Sequence, residues 1–277
     1  MSPNIGTVWS DSIEHLTEKQ TSVTAMSQHR KTPVQVETVE PAACSVDLRL
    51  SILQKVPFFS DLPDAEIRTL NDQFREYGFQ PGEPIYFSGE KAATLYVVAS
   101  GQVKLLRHSM SGQDVLLDIL KPGDYFGSLT TLADELYPDT AQAHTAVCVL
   151  SIQTEAFRTL LQQYPPVALT VLDITARRLQ ETQEIVRRLS ADSVEQRIAA
   201  VLLKLAQKLG EISDEGILIQ MPLSRDDLAQ MTGTTTETAS RIISQFQKEG
   251  LVHSGRKWIV ITGRPGLKMI AAAADTV

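Results

Sequence analysis

The chain has 277 residues but only two cysteines, Cys44 and Cys148, set far apart. That spacing matches neither a zinc site nor the dense framework of a small secreted domain. Cys148 lies on an apolar run and is expected to be a small core residue, while Cys44, beside a polar segment, is expected to be exposed. Four cysteines are needed for a thiolate-held iron–sulfur cluster, so no such cluster is expected. Long apolar runs are also missing, and none approaches the length that crosses a bilayer. The opening MSPNIGTVWSDSIEHLTEKQ has neither a basic start nor an apolar core, so a cytoplasmic location is expected. Positive charge is scarce: the formal net charge is −7, which excludes a nonspecific nucleic-acid coat. It does not exclude a local basic surface. Between Thr232 and Lys268 stand six basic residues (Arg241, Lys248, Arg256, Lys257, Arg264, Lys268) and two acids (Glu237, Glu249), a balance of +4. Enzyme signatures are absent as well, with no nucleophile–base motif, P-loop or metal-ligand cluster, and no catalytic role is expected.

What is present divides the chain. Residues 1–45 are rich in Thr, Ser, Gln and Pro without apolar periodicity, the composition of a disordered tail. Order is expected from Val46, where Leu48, Ile52, Leu53 and Val56 fall at helical spacing. Residues 79–152 alternate short apolar strands with glycine turns at Gly82, Gly89, Gly101, Gly112, Gly123 and Gly127, which predicts an antiparallel sandwich or barrel. After Tyr164-Pro165-Pro166, the residues Leu169, Leu172, Ala176, Leu179, Gln183 and Val186 step 3, 4, 3, 4, 3. That is a coiled-coil seam with one polar position able to fix register; a helix packed only on its own barrel is the plainer alternative.

A further amphipathic helix over 192–209 and a short strand, ILIQMPL, lead into LSRDDLAQMTGTTTETASRIISQFQKEGLVHSGRKWIVIT. Ser224 is a good N-cap for a helix through Met231. Gly233 suits a tight turn. A second helix is expected over Thr235–Lys248 with Ala239, Ile242, Ile243 and Phe246 inward and Gly250 closing it. A wing-like hairpin should then turn at Ser254-Gly255. Together these make a helix-turn-helix. The outer face of its second helix carries Thr236, Glu237, Ser240 and Arg241. Arginine reads guanine O6/N7 and glutamate accepts from cytosine N4, so Glu237 and Arg241, one turn apart, suit one G·C pair. An ordinary surface ion pair is the alternative.

At this point the chain resembles the cyclic-AMP receptor/fumarate-nitrate reduction regulators over roughly residues 46–270. The resemblance rests on LYVVASGQVKLL, KPGDYFG, VEQRIAAVLLKLA, PLSRDDLAQMTGTTTETASRIISQFQKEGLV and GRKWIVIT. It implies an α+β fold: an N-terminal cyclic-nucleotide-binding-type antiparallel β-barrel sensor (46–164), a long dimerisation helix (165–190) and a C-terminal winged helix-turn-helix (191–270). It also implies a homodimer on duplex DNA, with RNA polymerase as a partner and Glu237, Ser240 and Arg241 as base readers of TTGA-type half-sites. Arg225 and Thr235 become phosphate contacts.

In the family's nucleotide binders F-G-E and R-S/T-A cradle the cyclic phosphate. The matching stretches here are Phe126-Gly127-Ser128 and Asp139-Thr140-Ala141, with Ser128 for the Glu and Asp139 where the Arg is expected. Acids (Asp134, Glu135, Asp139) and no Lys or Arg lie between Phe126 and Thr145; Lys121, just upstream, and Arg177 or Arg178 on the following helix are the cations expected to compensate. Cyclic AMP is therefore not the expected effector. Haem stays open through His108 and His144, as does an unidentified small molecule or none. The other function class left standing is a nucleotide-binding-like adaptor whose winged helix contacts proteins.

Overall fold

The computed structural model describes residues 44–108, 114–129, 136–255 and 257–272. The expected tail up to residue 43, Gly112, Asp134, Glu135 and Arg256 lie outside them. Order starts with α1 (Val46–Lys55), whose N-cap Ser45 accepts a hydrogen bond from the Leu48 N–H at 3.2 Å. The helix turns Ile52 and Leu53 inward, with Val56 just beyond it, and α2 (Asp64–Asn71) adds Ile67 and Leu70.

Eight strands follow: β1 (Arg75–Phe79), β2 (Pro84–Tyr86), β3 (Thr94–Ser100), β4 (Val103–His108), β5 (Asp114–Leu120), β6 (Tyr125–Gly127), β7 (Thr140–Ala143) and β8 (Val147–Gln153). They form two antiparallel sheets in the orders β1-β8-β3-β6 and β2-β7-β4-β5. β8 is buried from Val147 to Ile152 because both its faces are covered. Cys148, Leu150 and Ile152 meet α1 and α2, while Val147 and Val149 face the barrel interior. Gly101 sits at φ +76, where a Cβ would lie 2.1 Å from the Ala146 carbonyl oxygen; only glycine permits that turn.

Cys148 is buried as expected, whereas Cys44 corrects the sequence reading. Cys44 is buried, and it is disulfide-bonded to Cys148 across 104 residues, Cα to Cα 6.5 Å. Docking of α1 on the β1-β8-β3-β6 sheet brings them together, and no local sequence pattern carries that information.

The helices α3 (Thr154–Gln163) and α4 (Pro165–Ala191) leave the barrel, and α5 (Val194–Leu209) opens the C-terminal part under a complete Ser193/Gln196 capping box. There follow β9 (Gly210–Ser213), β10 (Gly216–Gln220), α6 (Arg225–Thr232), α7 (Thr236–Lys248), β11 (Val252–Gly255), β12 (Trp258–Ile261) and α8 (Arg264–Ala272). The four strands pair in the order β11-β12-β10-β9.

His144 lies just after β7, and its Nε2 is buried without a hydrogen-bond partner among the described residues. Burial, reinforced by Lys104 and Lys257 and opposed by Asp227, lowers its pKa to about 4. The unfolded chain takes up a proton near pH 6.5, whereas the folded chain refuses it until about pH 4. Stability is therefore full above pH 6.5 and drains as the pH falls, by about 3 kcal/mol at pH 4. Urea titrations from pH 7 to 4 should show that loss, and His144→Gln should remove it. An equally steep decline in the variant would contradict the assignment.

Candidate nucleic-acid interface

α6 begins at Ser224, whose Oγ accepts the Asp227 N–H at 3.0 Å while Asp227 Oδ2 accepts the Ser224 N–H at 2.8 Å. The helix stops at Gly233 (φ 60, ψ 45), and Thr235 then caps α7 by accepting the Thr238 N–H at 3.2 Å. Ala239, Ile242, Ile243 and Phe246 are buried, as their spacing predicts. The opposite face is thereby fixed. Glu237 and Arg241 are exposed one turn apart and Ser240 is half-buried between them. Neither Glu237 nor Arg241 has an ion-pair partner among the described residues. The surface-pair reading predicts that they would engage each other, and they do not.

Other expected contacts are committed within the protein. The Thr236 hydroxyl donates to Asp226 Oδ1 at 2.9 Å, tying the start of α7 to α6. The Arg225 guanidinium is partly desolvated and donates to Ser254 Oγ at 2.7 Å, which fastens α6 to the wing. The wing itself corrects the sequence reading: Ser254 and Gly255 are the last residues of β11, and Gly255 pairs with Trp258. The turn thus falls after Gly255, where Lys257 is exposed at φ 70. Gly255 is needed at its position because a Cβ would meet the Trp258 ring at 2.5 Å.

On α4, the seam residues Leu169, Leu172, Ala176, Leu179, Gln183 and Val186 are all exposed, Leu179 by 60%. A different stripe meets the barrel. Val167, Val171 and Ile174 join its helical side, and Arg178 lies 4.0 Å over the Tyr125 ring. The helix therefore presents two apolar faces, and only one is covered by the described residues.

In the barrel, Phe126 on β6 stacks on Tyr96 (5.2 Å between centroids), and Tyr86 stacks on Tyr137 at 3.8 Å. Gly127 sits at φ +88 against the Thr94 carbonyl, and the Ser128 N–H donates to that carbonyl at 3.1 Å. Asp139 accepts the Tyr86 hydroxyl at 2.9 Å, and Thr140 Oγ1 accepts the Ser88 N–H at 3.1 Å. Burial raises the Asp139 carboxyl above the usual range, and the Tyr86 hydrogen bond and Arg107 only partly offset it. Of the cations considered from sequence, Lys121 donates to the Lys208 carbonyl and Arg178 covers Tyr125. Arg107, at the exposed end of β4, is not found from sequence because only the pairing of β4 with β7 brings it near Asp139. His108 pairs at the surface with Asp114, 2.7 Å away, and His144 lies beside Lys104 and Asp227. Neither imidazole belongs to the aromatic cluster.

Comparison with known proteins agrees with this architecture. The cyclic nucleotide-binding domain model matches residues 78–164 and the Crp-like helix-turn-helix domain model matches residues 196–270. The Cyclic AMP receptor protein of Thermus thermophilus is 31% identical over 199 residues, 72% of this chain and 89% of the relative. The CRP-like cAMP-activated global transcriptional regulator of Mycobacterium tuberculosis is 28% identical over 211 residues, 76% of this chain and 94% of the relative. Among solved structures, FixK2 from Bradyrhizobium japonicum superposes with a TM-score of 0.65 at 26% identity, over 73% of this chain and 98% of that one. With a nucleotide-binding-type barrel, a long helix and a winged helix-turn-helix in that order, the chain belongs to the CRP/FNR family of DNA-binding transcription regulators.

Proposed function

We propose that the chain works as a cytoplasmic homodimer that reads TTGA-like palindromic half-sites, under an effector other than cyclic AMP, and catalyses no reaction. The observation that carries the proposal is the exposed Glu237 and Arg241, without an ion-pair partner among the described residues, on a capped α7 whose opposite face is buried. Arg241 would address guanine, Glu237 the paired cytosine, and Ser240 a neighbouring edge. Thr235, Arg225 and Thr236 would stand at the helix N-termini, where backbone donors attract phosphate. For Arg225 and Thr236 this competes with the bonds each makes inside the domain. Pairing through the exposed α4 seam would set two recognition helices about 34 Å apart, one turn of duplex. RNA polymerase is the partner such a regulator would recruit or block.

Relatives are named for cyclic AMP, but the cradle here does not suit a cyclic phosphate. Asp139 stands in place of the expected cation, its carboxylate occupied by Tyr86, and Ser128 replaces the ribose-binding acid. An anion brought there meets a carboxylate, and Arg107, which already partly offsets Asp139, would have to serve both; losing water under that shortage of positive charge costs several kcal/mol. The test is fluorescence anisotropy of the whole chain on a labelled inverted TTGA duplex, with cyclic AMP absent and then added at low salt, where attraction to anions is strongest. The proposal predicts an isotherm that cyclic AMP leaves unchanged. Binding that appears or tightens severalfold at micromolar cyclic AMP would contradict it.

A further inference from the structure

The sensor and the DNA-reading part share one apolar cluster. Leu106 on β4 and Leu116 and Ile119 on β5 are buried in the same core as Leu228, Ile243 and Phe246. Two polar contacts flank it. Lys104 on β4 pairs with Asp227 on α6, the side chains only 16% and 6% exposed. Lys208, at the end of α5, lies 2.9 Å from Asp118 and 3.0 Å from Asp124, and Lys121 donates to the Lys208 carbonyl.

Asp227 serves both sides of this junction. One oxygen takes the barrel lysine while the other accepts the N–H and the hydroxyl of Ser224, each at 2.8 Å, at the N-cap of α6. Burial raises the Asp227 carboxyl, but Lys104 and Ser224 more than reverse this and hold it below the usual range. Alpha-6 passes its position on through the Asp226–Thr236 bond and the Gly233 turn to α7. A buried ion pair of this kind adds little net stability over apolar side chains of similar size, because desolvation offsets most of the attraction. Its two directional partners do restrict orientation.

We infer that Lys104 is a positioning residue for DNA recognition, holding the helix-turn-helix through Asp227 in the posture in which α7 meets the groove. This rests on α7 as the DNA-reading helix. If the contact is lost, the C-terminal part samples other postures, and apparent affinity falls by the fraction of time spent in the competent one.

The experiment compares the whole chain with Lys104→Met/Asp227→Asn and Lys104→Arg on an inverted TTGA duplex and a scrambled duplex. The double variant leaves no buried charge unpaired, and the amide oxygen can still cap Ser224. Affinities are taken on protein shown by circular dichroism to be fully folded, so a shift in the urea midpoint does not enter them. We expect the double variant to bind both duplexes about tenfold more weakly and Lys104→Arg to stay within about twofold of the parent. Parental affinity in the double variant, or tighter binding, would overturn the inference. The junction is judged by absolute affinity and the base-reading role by the ratio between duplexes, so either can fail alone.

Discussion

Leu179→Arg is expected to convert the protein to a monomer. Leu179 is 60% exposed in the isolated chain and lies mid-seam between Leu172 and Val186, so a single protomer tolerates the change. Across a two-fold interface the same residue meets its own copy. Two guanidinium groups would then be buried without partners, side by side. An unpaired buried charge costs roughly 3–5 kcal/mol, so the dimer constant should weaken by at least about a thousandfold. Sedimentation equilibrium across a concentration series measures it directly. An unchanged dimer would show that protomers associate elsewhere or that the stripe stays in solvent. Affinity for a palindromic duplex should fall with dimerisation, because one half-site is lost per bound protomer.

The Cys44–Cys148 bond carries the second large effect. It closes a separation of 104 residues, and in the chain-entropy account a loop of that length stabilises the folded state by about 4–5 kcal/mol. Most cytoplasms keep such pairs reduced, so the bond's state depends on how the protein is prepared. Urea unfolding of oxidised protein, with and without dithiothreitol, should show a fall of that size, and Cys44→Ala should match the reduced form. The fold should survive reduction at neutral pH, since Ile52, Leu53 and Val56 of the α1 region contribute apolar burial independent of the bond. Identical midpoints, or two titratable thiols in protein purified without reductant, would contradict the pairing.

Local chemistry made much of this molecule legible in its sequence. Ser224, Gly233 and the Ala239–Ile242–Ile243–Phe246 stripe mark α6, the turn and α7 because caps, left-handed glycine and a 3.6-residue period act within one or two turns of helix. The β8 run and the turn glycines marked the barrel for the same reason. Contacts between distant segments were not legible. The Cys44–Cys148 bond, the Lys104–Asp227 pair and the approach of Arg107 to Asp139 all depend on how sheets and helices dock. Several elements passed unnoticed, among them α2, β1, α3, β9 and α8, and for the last two the weakness of the signal is plain. In β9, Ile212 is 97% exposed, so the strand lacks a buried alternating face. The run at α8 follows Gly263 and opens on Arg-Pro-Gly, a turn signature, yet Leu267 buries it against α5. The wing turn was placed early because Ser-Gly is a common turn pair, whereas Gly255 serves here to admit the Trp258 ring.

Base reading turns on Arg241, exposed on α7 and without an ion-pair partner among the described residues. Its measurement is the ratio of affinities for an inverted TTGA duplex and a scrambled duplex of equal length and salt, for the parent chain and Arg241→Ala. A bidentate contact to guanine discriminates by about 1–3 kcal/mol. The variant should lose that much per half-site on the palindrome and little on the scrambled duplex, bringing the ratio toward one. Equal losses on both duplexes would make Arg241 a phosphate contact and contradict base reading by this helix.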